Sequence, residues 1–343
     1  MSDFDFVDAY AEEEQKATTL DENDALSSLD CAFVGVGGGG GKIAAAFLKQ
    51  GFNRTLMINT TAKDFSKGLD KKHQVALADL DGVAKNVVLG KEALKKNSAL
   101  VEDALRQGFG KVDWLFVCAS GGGGTGSSAA SLDEAFCRYL SSVEGEGGIV
   151  YIVSKPSAQE LLNPTVKKNY ESLLADMKKK TYILLDNERQ LTKLRGKVGV
   201  SRLYPAANEM FAKMMAQILK LTSSESSIQA CDGKDLARFL SSSGRILIGT
   251  AMAEPGPSLG ADLYQKCVLA SPCPEPSGQA KVGMLLEIMS EELAENSEVS
   301  LHLESAAAYV GGRSDTLFSG IYVYDMPEAL QDKLVSIMAL GGL

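Results

Sequence analysis

Histidine is scarce in this chain. Among its 343 residues only His73 and His302 carry an imidazole. Catalytic triads that use histidine as the base, and zinc sites built from histidine and cysteine, need such residues in a suitable group. The composition therefore argues against both kinds of site.

Long apolar segments and paired cysteines are also missing. No apolar run reaches the roughly 18 residues that cross a bilayer, and the N-terminus is acidic, unlike that of a secretory signal peptide. The six cysteines include no Cys-x-x-Cys pair, and several lie in apolar runs, which indicates buried reduced thiols. These features predict a cytoplasmic protein without membrane contact.

Positive charge is nearly absent from residues 1–30, which carry ten Asp or Glu against a single lysine. Since the whole chain has 44 acidic and 35 basic residues, the remainder carries 34 of each and is formally neutral. An acidic, unpatterned leader is typical of a disordered extension, although Phe4, Phe6, Val7 and Tyr10 are able to anchor it on a neighbour. A neutral body permits self-association, and nothing here predicts direct nucleic-acid binding.

The most informative stretch is SGGGGTGSS at residues 120–128. It follows an apolar run at 114–118, which is typical of a buried strand, and it leads into a helix-forming segment. Glycines leave backbone amides uncovered, and a helix N-terminus adds unpaired N–H groups and a dipole that favours anions. A Gly/Ser linker is the alternative, but linkers do not usually follow an apolar strand. We therefore predict a phosphate site, and we expect Gly124→Val to abolish binding by filling the space where backbone meets phosphate.

A second glycine run, GVGGGGGK at residues 35–42, also lies between an apolar run and a helical pattern. Its glycines fit the Rossmann dinucleotide fingerprint, but that fold expects an acidic residue about 20 positions later. The run at 55–58 ends instead in Asn59-Thr60-Thr61. The P-loop pattern fails because Val36 and Ile43 occupy its Gly and Ser/Thr positions. Two glycine loops in one α/β unit predict a shared phosphate cradle.

Strands and helices alternate along the first half of the chain. Strands are predicted at 31–34, 55–58, 114–118, 148–153 and 181–185, and helices at 42–50, 92–107, 128–142 and 165–179. This alternation predicts an α/β fold with a parallel sheet, whose ligands bind at the carboxyl ends of the strands. Both glycine loops fall at such ends.

A long amphipathic helix is predicted at 203–221, with Tyr204 and Asn208 on one face of its first turns. Asp232 and Asp235 then start a short helix, where paired carboxylates ordinarily cap the N-terminus. Beyond it we predict a smaller α+β domain with strands at 245–249, 268–269, 299–303 and 320–324, a helix at 282–296 and a terminal helix at 326–340.

These motifs resemble the tubulin/FtsZ superfamily of filament-forming GTPases over about residues 31–326. GGGGTGSS at 121–128 is similar to the tubulin signature GGGTGSG, and GVGGGGGK is similar to the first glycine loop of FtsZ, with Lys42 where that family has Asn. The resemblance implies an acidic extension (1–30), a GTPase domain (31–202), a central helix with the catalytic loop (203–243), an α+β domain (244–326) and a C-terminal helix (327–343).

By the same resemblance the cofactors are GTP or GDP and Mg²⁺, and the catalytic residues are Asp232 and Asp235. The residues that match the family's nucleotide pocket are Gly37, Gly38, Gly39, Gly40, Gly41, Lys42, Asn59, Thr60, Thr61, Gly122, Gly123, Gly124, Thr125, Gly126, Ser127, Glu160, Asn187, Tyr204 and Asn208. No side chain is assigned as a metal ligand.

Four positions depart from the FtsZ pattern. Pro164 stands where FtsZ has an Arg that contacts the base, and Thr61 stands where it has an Asp near the metal. Glu209 replaces the Asp that follows Asn208, and Ala230 replaces an Asn of the catalytic loop. These changes bear on guanine contacts and on the hydrolysis rate. We also find no long linker and anchor peptide such as cell-division FtsZ carries. With Asn59-Thr60-Thr61 and Leu185-Asp186-Asn187-Glu188, the pattern more closely resembles the TubZ-type tubulins of plasmids and phages.

The resemblance implies a polymerising GTPase. Subunits would join head to tail, and Asp232 and Asp235 of one subunit would act on the GTP of the next, because a helix from 203 to 221 spans roughly 28 Å and separates them from their own nucleotide. DNA segregation or positioning, through an adaptor that links the filament to DNA or cargo, is the implied role. The alternatives are a non-hydrolysing regulatory homologue and a Rossmann-type NAD(P) oxidoreductase.

Overall fold

The computed structural model describes residues 27–65, 68–77 and 82–343. Most of the acidic extension predicted at 1–30 therefore lies outside the described residues. Contacts divide the chain into two units, a first unit of Leu29–Ala212 and a second unit of Lys213–Leu343 with Ser27 and Ser28. The division falls inside helix Leu203–Leu221, which we call α7. Among the described residues, no helix is long and apolar enough to cross a membrane.

The first unit contains a six-stranded parallel sheet in the order β3-β2-β1-β4-β5-β6. Its strands are β1 (Cys31–Val36), β2 (Thr55–Asn59), β3 (Gln74–Ala76), β4 (Trp114–Ser120), β5 (Ile149–Lys155) and β6 (Thr181–Asp186). Its helices are α1 (Gly37–Lys49), α2 (Val87–Lys96), α3 (Ser98–Phe109), α4 (Asp133–Ser142), α5 (Pro164–Met177) and α6 (Asn187–Leu194).

Both faces of this sheet are covered, which explains its unbroken apolar strands. All six residues of β1 are buried. On one face the Phe33 ring stacks on Phe47 of α1 at 4.0 Å and on Phe116 of β4 at 5.0 Å. On the other face Val34 belongs to a buried apolar cluster that includes Leu105 of α3. The core therefore fixes β1 and β4 side by side, with their carboxyl ends at one edge.

The second unit contains a four-stranded mixed sheet in the order β7-β10-β8-β9. Strand β10 is antiparallel to β7 and β8, whereas β8 and β9 are parallel. The strands are β7 (Gly244–Ala253), β8 (Ala280–Met289), β9 (Ser314–Val323) and β10 (Leu334–Gly341). The helices are α8 (Gly233–Leu240), α9 (Leu259–Ala270), α10 (Glu291–Glu295) and α11 (Ser297–Gly311).

The predicted strands of the first unit are confirmed, while its helices differ in detail. The helix expected at 42–50 begins at Gly37, and the one expected at 92–107 is the pair α2 and α3, which meet at Asn97. The start of the helix expected at 128–142 is a 3₁₀ helix, Gly126–Leu132, that leads into α4. Strand β3 was missed because three residues carry too little periodicity.

Four elements predicted for the second unit are wrong. The segments 282–296 and 326–340, both predicted as helices, contain strands β8 and β10, while the strands at 268–269 and 299–303 are parts of α9 and α11. All eight residues of β10 are buried, so every position is apolar or small and chance i, i+3, i+4 matches imitate a helix. The alternation in Val-Ser-Leu-His-Leu imitates a strand, but burial at Val299, Leu303, Ala306 and Val310 follows a helical period.

Candidate functional site

A cavity of about 460 Å³ lies where β1, β2 and β4 end. Its walls come from the first turn of α1, the segment after β2, residues 82–85 and the loop after β4. Of the residues proposed from the sequence it contains Gly38, Gly39, Asn59, Thr60, Thr61, Gly123, Gly124, Thr125 and Gly126. The structure therefore brings the two glycine loops and the end of β2 into one concave site.

The two glycine loops touch each other directly. Gly37 has φ +73°, which favours glycine, and a Cβ placed there would lie 2.7 Å from the amide nitrogen of Gly126. A Cβ on Gly40, in the next turn of α1, would lie 2.2 Å from the carbonyl oxygen of Cys118 in β4. These glycines are required by contacts within the protein.

Other glycines leave open space at the cavity wall. A Cβ on Gly123 would meet no atom within 4 Å, and one on Gly38 would come no closer than 3.9 Å, to Asp64. Backbone at these two positions is therefore accessible to a bound group. A Cβ on Gly124, by contrast, would lie 2.7 Å from Val83 Cγ2 and 2.9 Å from the Asn86 backbone. The valine side chain of Gly124→Val would therefore clash with the protein itself. The reason given for this variant from the sequence, that it fills the space of the phosphate, was wrong.

Two helices point uncapped N-termini at this site. Helix α1 and the 3₁₀ helix that starts at Gly126 have neither a capping side chain nor an acidic residue in the first turn. In the same unit α2, α5 and α6 are capped by Asn86, Asn163 and Asp186. N–H groups at a helix start that no side chain caps favour an anion.

Buried hydroxyls hold the loops in register. Thr60 Oγ1 and Thr125 Oγ1 are 2.8 Å apart, and both residues are buried. The Thr60 amide donates to Asn59 Oδ1 at 2.8 Å, and the Ser128 hydroxyl donates to the Gly124 carbonyl at 2.8 Å. Asn59, Thr60 and Thr125 thus support the shape of the site.

Thr61 accepts a hydrogen bond from the Lys63 amide at 3.3 Å and so caps a 3₁₀ turn, Ala62–Asp64. This turn places Lys63 and Asp64 in the cavity wall, where Lys85 is the third charged residue. The sequence reasoning missed all three. Their positions just after the Asn59-Thr60-Thr61 strand end would have indicated Lys63 and Asp64.

Ala84 and Lys85 have φ values of +46° and +62°, which are unusual for residues other than glycine. Their conformation is held by neighbours: Asn169 Nδ2 donates to the Lys85 carbonyl at 2.8 Å, and Asn86 Oδ1 accepts from the Val88 amide at 2.9 Å. Such backbone strain often occurs at functional sites. No sequence pattern indicated it.

No family model matches this chain. Comparison with solved structures finds CetZ2 from Haloferax volcanii in a GTPγS-bound protofilament, at TM-score 0.74 and 20% identity, over 92% of this chain and 93% of that one. TubZ from Bacillus thuringiensis serovar israelensis, in a GTPγS-form protofilament, matches at TM-score 0.74 and 18% identity, over 98% and 93%. An empty FtsZ dimer of M. jannaschii matches at 0.65 and 19%, over 98% and 92%.

The chain has the tubulin/FtsZ fold. The resemblance drawn from the glycine motifs is thereby confirmed at the level of architecture. CetZ2 and TubZ match this tubulin/FtsZ fold at the same TM-score, so the fold does not favour the TubZ type over the CetZ type.

Several predicted ligand residues lie outside the main cavity of this tubulin/FtsZ fold. Gly37, Gly41 and Lys42 line a smaller adjoining pocket, to which Asn59 and Asp64 of the main cavity also contribute. The other residues that do not line the main cavity are Gly40, Gly122, Ser127, Glu160, Asn187, Tyr204 and Asn208.

Glu160 and Tyr204 are nevertheless joined. The Tyr204 hydroxyl donates to the Glu160 carboxylate at 3.2 Å, and that carboxylate also accepts from the Ser157 amide at 2.8 Å. Burial and the Glu160 charge raise the pKa of Tyr204. Asn187 begins α6, while Asn208 is half-buried on α7. The structure thus joins Glu160 with Tyr204 by a hydrogen bond.

Asp232 and Asp235 form a capping box at the start of α8. Asp232 Oδ1 accepts from the amides of Lys234 and Asp235 at 2.8 and 3.0 Å, and Asp235 Oδ2 accepts from the Asp232 amide at 3.3 Å. Their catalytic role stays a prediction. Each carboxylate has one oxygen outside the box, and Asp232 is exposed.

No group of three or more His, Cys, Asp or Glu suited to a metal ion occurs within residues 27–65, 68–77 and 82–343. Asp64 is the carboxylate among the residues that line the main cavity. Magnesium at nucleotide sites is commonly held by one or two carboxylates, water and substrate phosphates. Asp64 therefore fits a cation that the phosphates of a ligand help to hold.

Proposed function

We propose that this chain is a GTPase that binds GTP with Mg²⁺ and polymerises head to tail. The observation that carries the proposal is the cavity of about 460 Å³ walled by both glycine loops. Its backbone is open at Gly38 and Gly123, and two uncapped helix N-termini supply N–H groups. Lys63 and Lys85 add positive charge. This combination suits a polyphosphate.

The nucleotide would lie with its phosphates between the glycine loops. Mg²⁺, held by the phosphates, water and Asp64, would neutralise charge that develops during phosphoryl transfer. Glu160 and Tyr204 form a second polar group, to which the family resemblance assigns the ribose and the base. Asn187 and Asn208 are assigned to the base side on the same ground.

Hydrolysis would need a second subunit. Asp232 and Asp235 belong to the second unit and do not line the cavity. In a head-to-tail contact that repeats without closing, they would meet the γ-phosphate of the neighbour and orient or deprotonate the attacking water. The capping box leaves one oxygen of each carboxylate for that purpose. The CetZ2 and TubZ relatives in protofilaments support this arrangement.

The deciding experiment compares ligands first and assembly second. GTP should raise the thermal midpoint of the protein and NAD(P)H should not, since only a true ligand of the folded state stabilises it by mass action. Adding GTP should then increase light scattering, with filaments visible by electron microscopy. A midpoint shift with NAD(P)H alone would show that the chain is a Rossmann-type oxidoreductase instead.

The capping box favours a second candidate, a non-hydrolysing regulatory homologue. In that protein Asp232 and Asp235 would serve only to start α8. Phosphate release measured on assembled filaments separates the two, because the regulatory homologue would bind GTP without releasing phosphate.

A role in DNA segregation or positioning, with an adaptor that connects the filament to DNA or cargo, rests on the resemblance alone. It predicts that filaments pelleted from the source cells bring a DNA-binding protein with them. Filaments that pellet without any DNA-binding protein would remove this part of the proposal.

A further inference from the structure

The loop from Arg195 to Arg202 combines positive charge with an exposed apolar side chain. The stretch 189–202 has five basic residues and no acidic one, within a body that is formally neutral. Val200 is 85% exposed, the largest value among the large apolar side chains of the described residues, and Leu162 follows at 81%. Water contact at two such side chains indicates a surface that a partner can cover.

Hydrogen bonds join the loops that carry these two side chains. The Ala158 amide donates to the Glu188 carboxylate at 3.1 Å, and the Tyr204 hydroxyl donates to Glu160 at 3.2 Å. Leu162, Arg195, Lys197, Val200 and Arg202 together are called the basic-apolar surface below.

Ion pairs cancel only part of the charge of this surface. Arg195 pairs with Glu188 at 2.9 Å and Arg202 with Glu209 at 3.7 Å, so its three basic side chains outnumber the two carboxylates that pair with them. Lys197 is exposed. The partner of this surface should therefore be acidic and should contain apolar side chains.

The chain itself contains such a segment. Residues 1–26, which lie outside the described residues, carry nine acidic side chains and one lysine. They also contain Phe4, Phe6, Val7 and Tyr10. Charge and apolar content thus both complement the basic-apolar surface.

This segment ends beside the start of α8. The Ser28 amide donates to the carbonyl of Leu219 in the last turn of α7 at 3.1 Å, and the hydroxyls of Ser28 and Thr222 are 2.7 Å apart. A Cβ on Gly233 would lie 2.7 Å from the Ser28 carbonyl oxygen. The acidic segment therefore departs next to Asp232 and Asp235, the residues expected to face a neighbouring subunit.

We propose that the acidic segment 1–26 of one copy docks on the basic-apolar surface of the next copy. This rests on the proposed head-to-tail assembly. The basic-apolar surface leads into the first turn of α7. The whole helix α7 is roughly 28 Å long. An extended 26-residue segment reaches at most about 90 Å, so length alone permits either copy, but departure at the contact with the neighbour favours docking between copies. The segment would strengthen the filament contact without touching the nucleotide.

Cross-linking of full-length chains tests the proposal. Cys137, the exposed native thiol, is replaced by serine, and chains with Ala11→Cys are mixed with chains with Ser201→Cys in the presence of GTP. We expect a covalent pair of copies whose yield falls in about 0.5 M salt, because exposed charges are then screened. Cross-linking confined to single chains in the Ala11→Cys, Ser201→Cys double variant would show docking within one chain and overturn the proposal.

Charge-reversal variants test whether the acidic segment recognises the basic-apolar surface by its charge. Lys197→Glu combined with Val200→Asp should raise the critical concentration for assembly about tenfold, and reversing Glu12, Glu13 and Glu14 to lysine should act in the same direction. A chain that combines Lys197→Glu with the reversal of Glu12, Glu13 and Glu14 to lysine should recover assembly in part. Lys111→Glu, an exposed lysine between α3 and β4, is the matched control and should change nothing.

Two outcomes contradict the inference and are distinguishable from failure of the nucleotide site. Every variant should show the wild-type thermal shift with GTP, because none of the substitutions lies in the cavity. A wild-type shift without cross-linking between copies would overturn only the docking proposal. If Lys197→Glu abolishes assembly but the reversal of Glu12, Glu13 and Glu14 to lysine does not, the surface binds a different acidic partner.

Discussion

Helices α1 and α8 begin in opposite ways. The first turn of α1 is made of glycines, has no capping side chain and lines a cavity. The first turn of α8 is closed by the reciprocal hydrogen bonds of Asp232 and Asp235. The first N–H groups of any helix lack partners within the helix, and the helix dipole favours negative charge there. In α8 the carboxylates of the protein supply that charge, whereas no side chain caps the start of α1.

Replacing the carboxylates of α8 without removing its cap should have the largest effect. Asp232→Asn and Asp235→Asn keep a side-chain oxygen for capping, since Asn caps about as well as Asp, but they cannot accept a proton from water. We expect phosphate release per assembled subunit to fall by about 10²- to 10⁴-fold, with unchanged GTP binding and longer-lived filaments. Wild-type phosphate release by both variants would reduce the capping box to a structural role.

In this comparison the open cavity wall is the counterpart of the capped start of α8, and filling it at Gly123, in the loop after β4, should have the next largest effect. Gly123→Val places a side chain where the structure has free space, so the thermal midpoint without ligand should stay unchanged while GTP affinity falls by about 100-fold. Gly124→Val is the matched variant. Its side chain meets Val83 and the Asn86 backbone, so it should lower stability by about 1–3 kcal/mol. Equal GTP affinities of Gly123→Val and wild type would contradict the proposed site.

The second unit should also show a pH-dependent stability, which arises from one buried carboxyl. Glu287 in β8 is 2% exposed, its Oε1 has no hydrogen-bond partner among the described residues, and burial raises its pKa to about 8. Because the folded state then holds a proton that the unfolded state releases above its ordinary pKa of 4.5, stability is highest below that pH. It should fall by about 1.4 kcal/mol per pH unit until pH 8.

Glu287→Gln should remove this contribution. Urea unfolding of wild type and variant between these pH values measures the difference in slope, and Glu291→Gln, on an exposed residue of α10, serves as the control. Parallel pH profiles for wild type and Glu287→Gln would show that the buried carboxyl does not change its protonation on unfolding.

The smallest effect is expected from deleting the cap of α8. Asp232→Ala should lower the free energy of unfolding by about 1 kcal/mol, and Asp232→Asn should restore it. Since α1 has no side-chain cap, there is no equivalent loss there, and GTP should take the place of the cap. A stability loss in Asp232→Ala well above that of a single cap would indicate that Asp232 supports more than α8.

Residues just beyond the ends of buried parallel strands could be located from the sequence, because polar residues and glycine follow the apolar runs there. Asn59, Thr60, Gly123 and Thr125 lie within a few residues of such runs, and all four line the cavity. Ala84 and Lys85 could not be assigned to the cavity from the sequence. Their left-handed backbone depends on the distant Asn169 and leaves no local pattern. Glu160 and Tyr204 came from the family resemblance, and their hydrogen bond links residues 44 positions apart.

The second unit was predicted less well for a reason of packing. Strand β10 lies between β7 and β8 and is buried along its whole length, so its pattern has no polar face to give a period of two. Helix α11 lacks strong amphipathicity because Ala306 to Ala308 place small residues on several faces. Local periodicity fails in both cases, and packing within the unit decides the structure.

The hydrogen bond between Thr60 and Thr125 predicts when the site forms during folding. It joins residues 65 positions apart, and β1 must already pair with both β2 and β4 before those hydroxyls meet. Contacts between distant parts of a chain carry a loop-closure cost and form slowly. The cavity should therefore be among the last features of the first unit to form. In pulse-labelling hydrogen exchange, amides of Gly123 to Gly126 should gain protection after those of β1, and a nucleotide can bind only once that late step is complete.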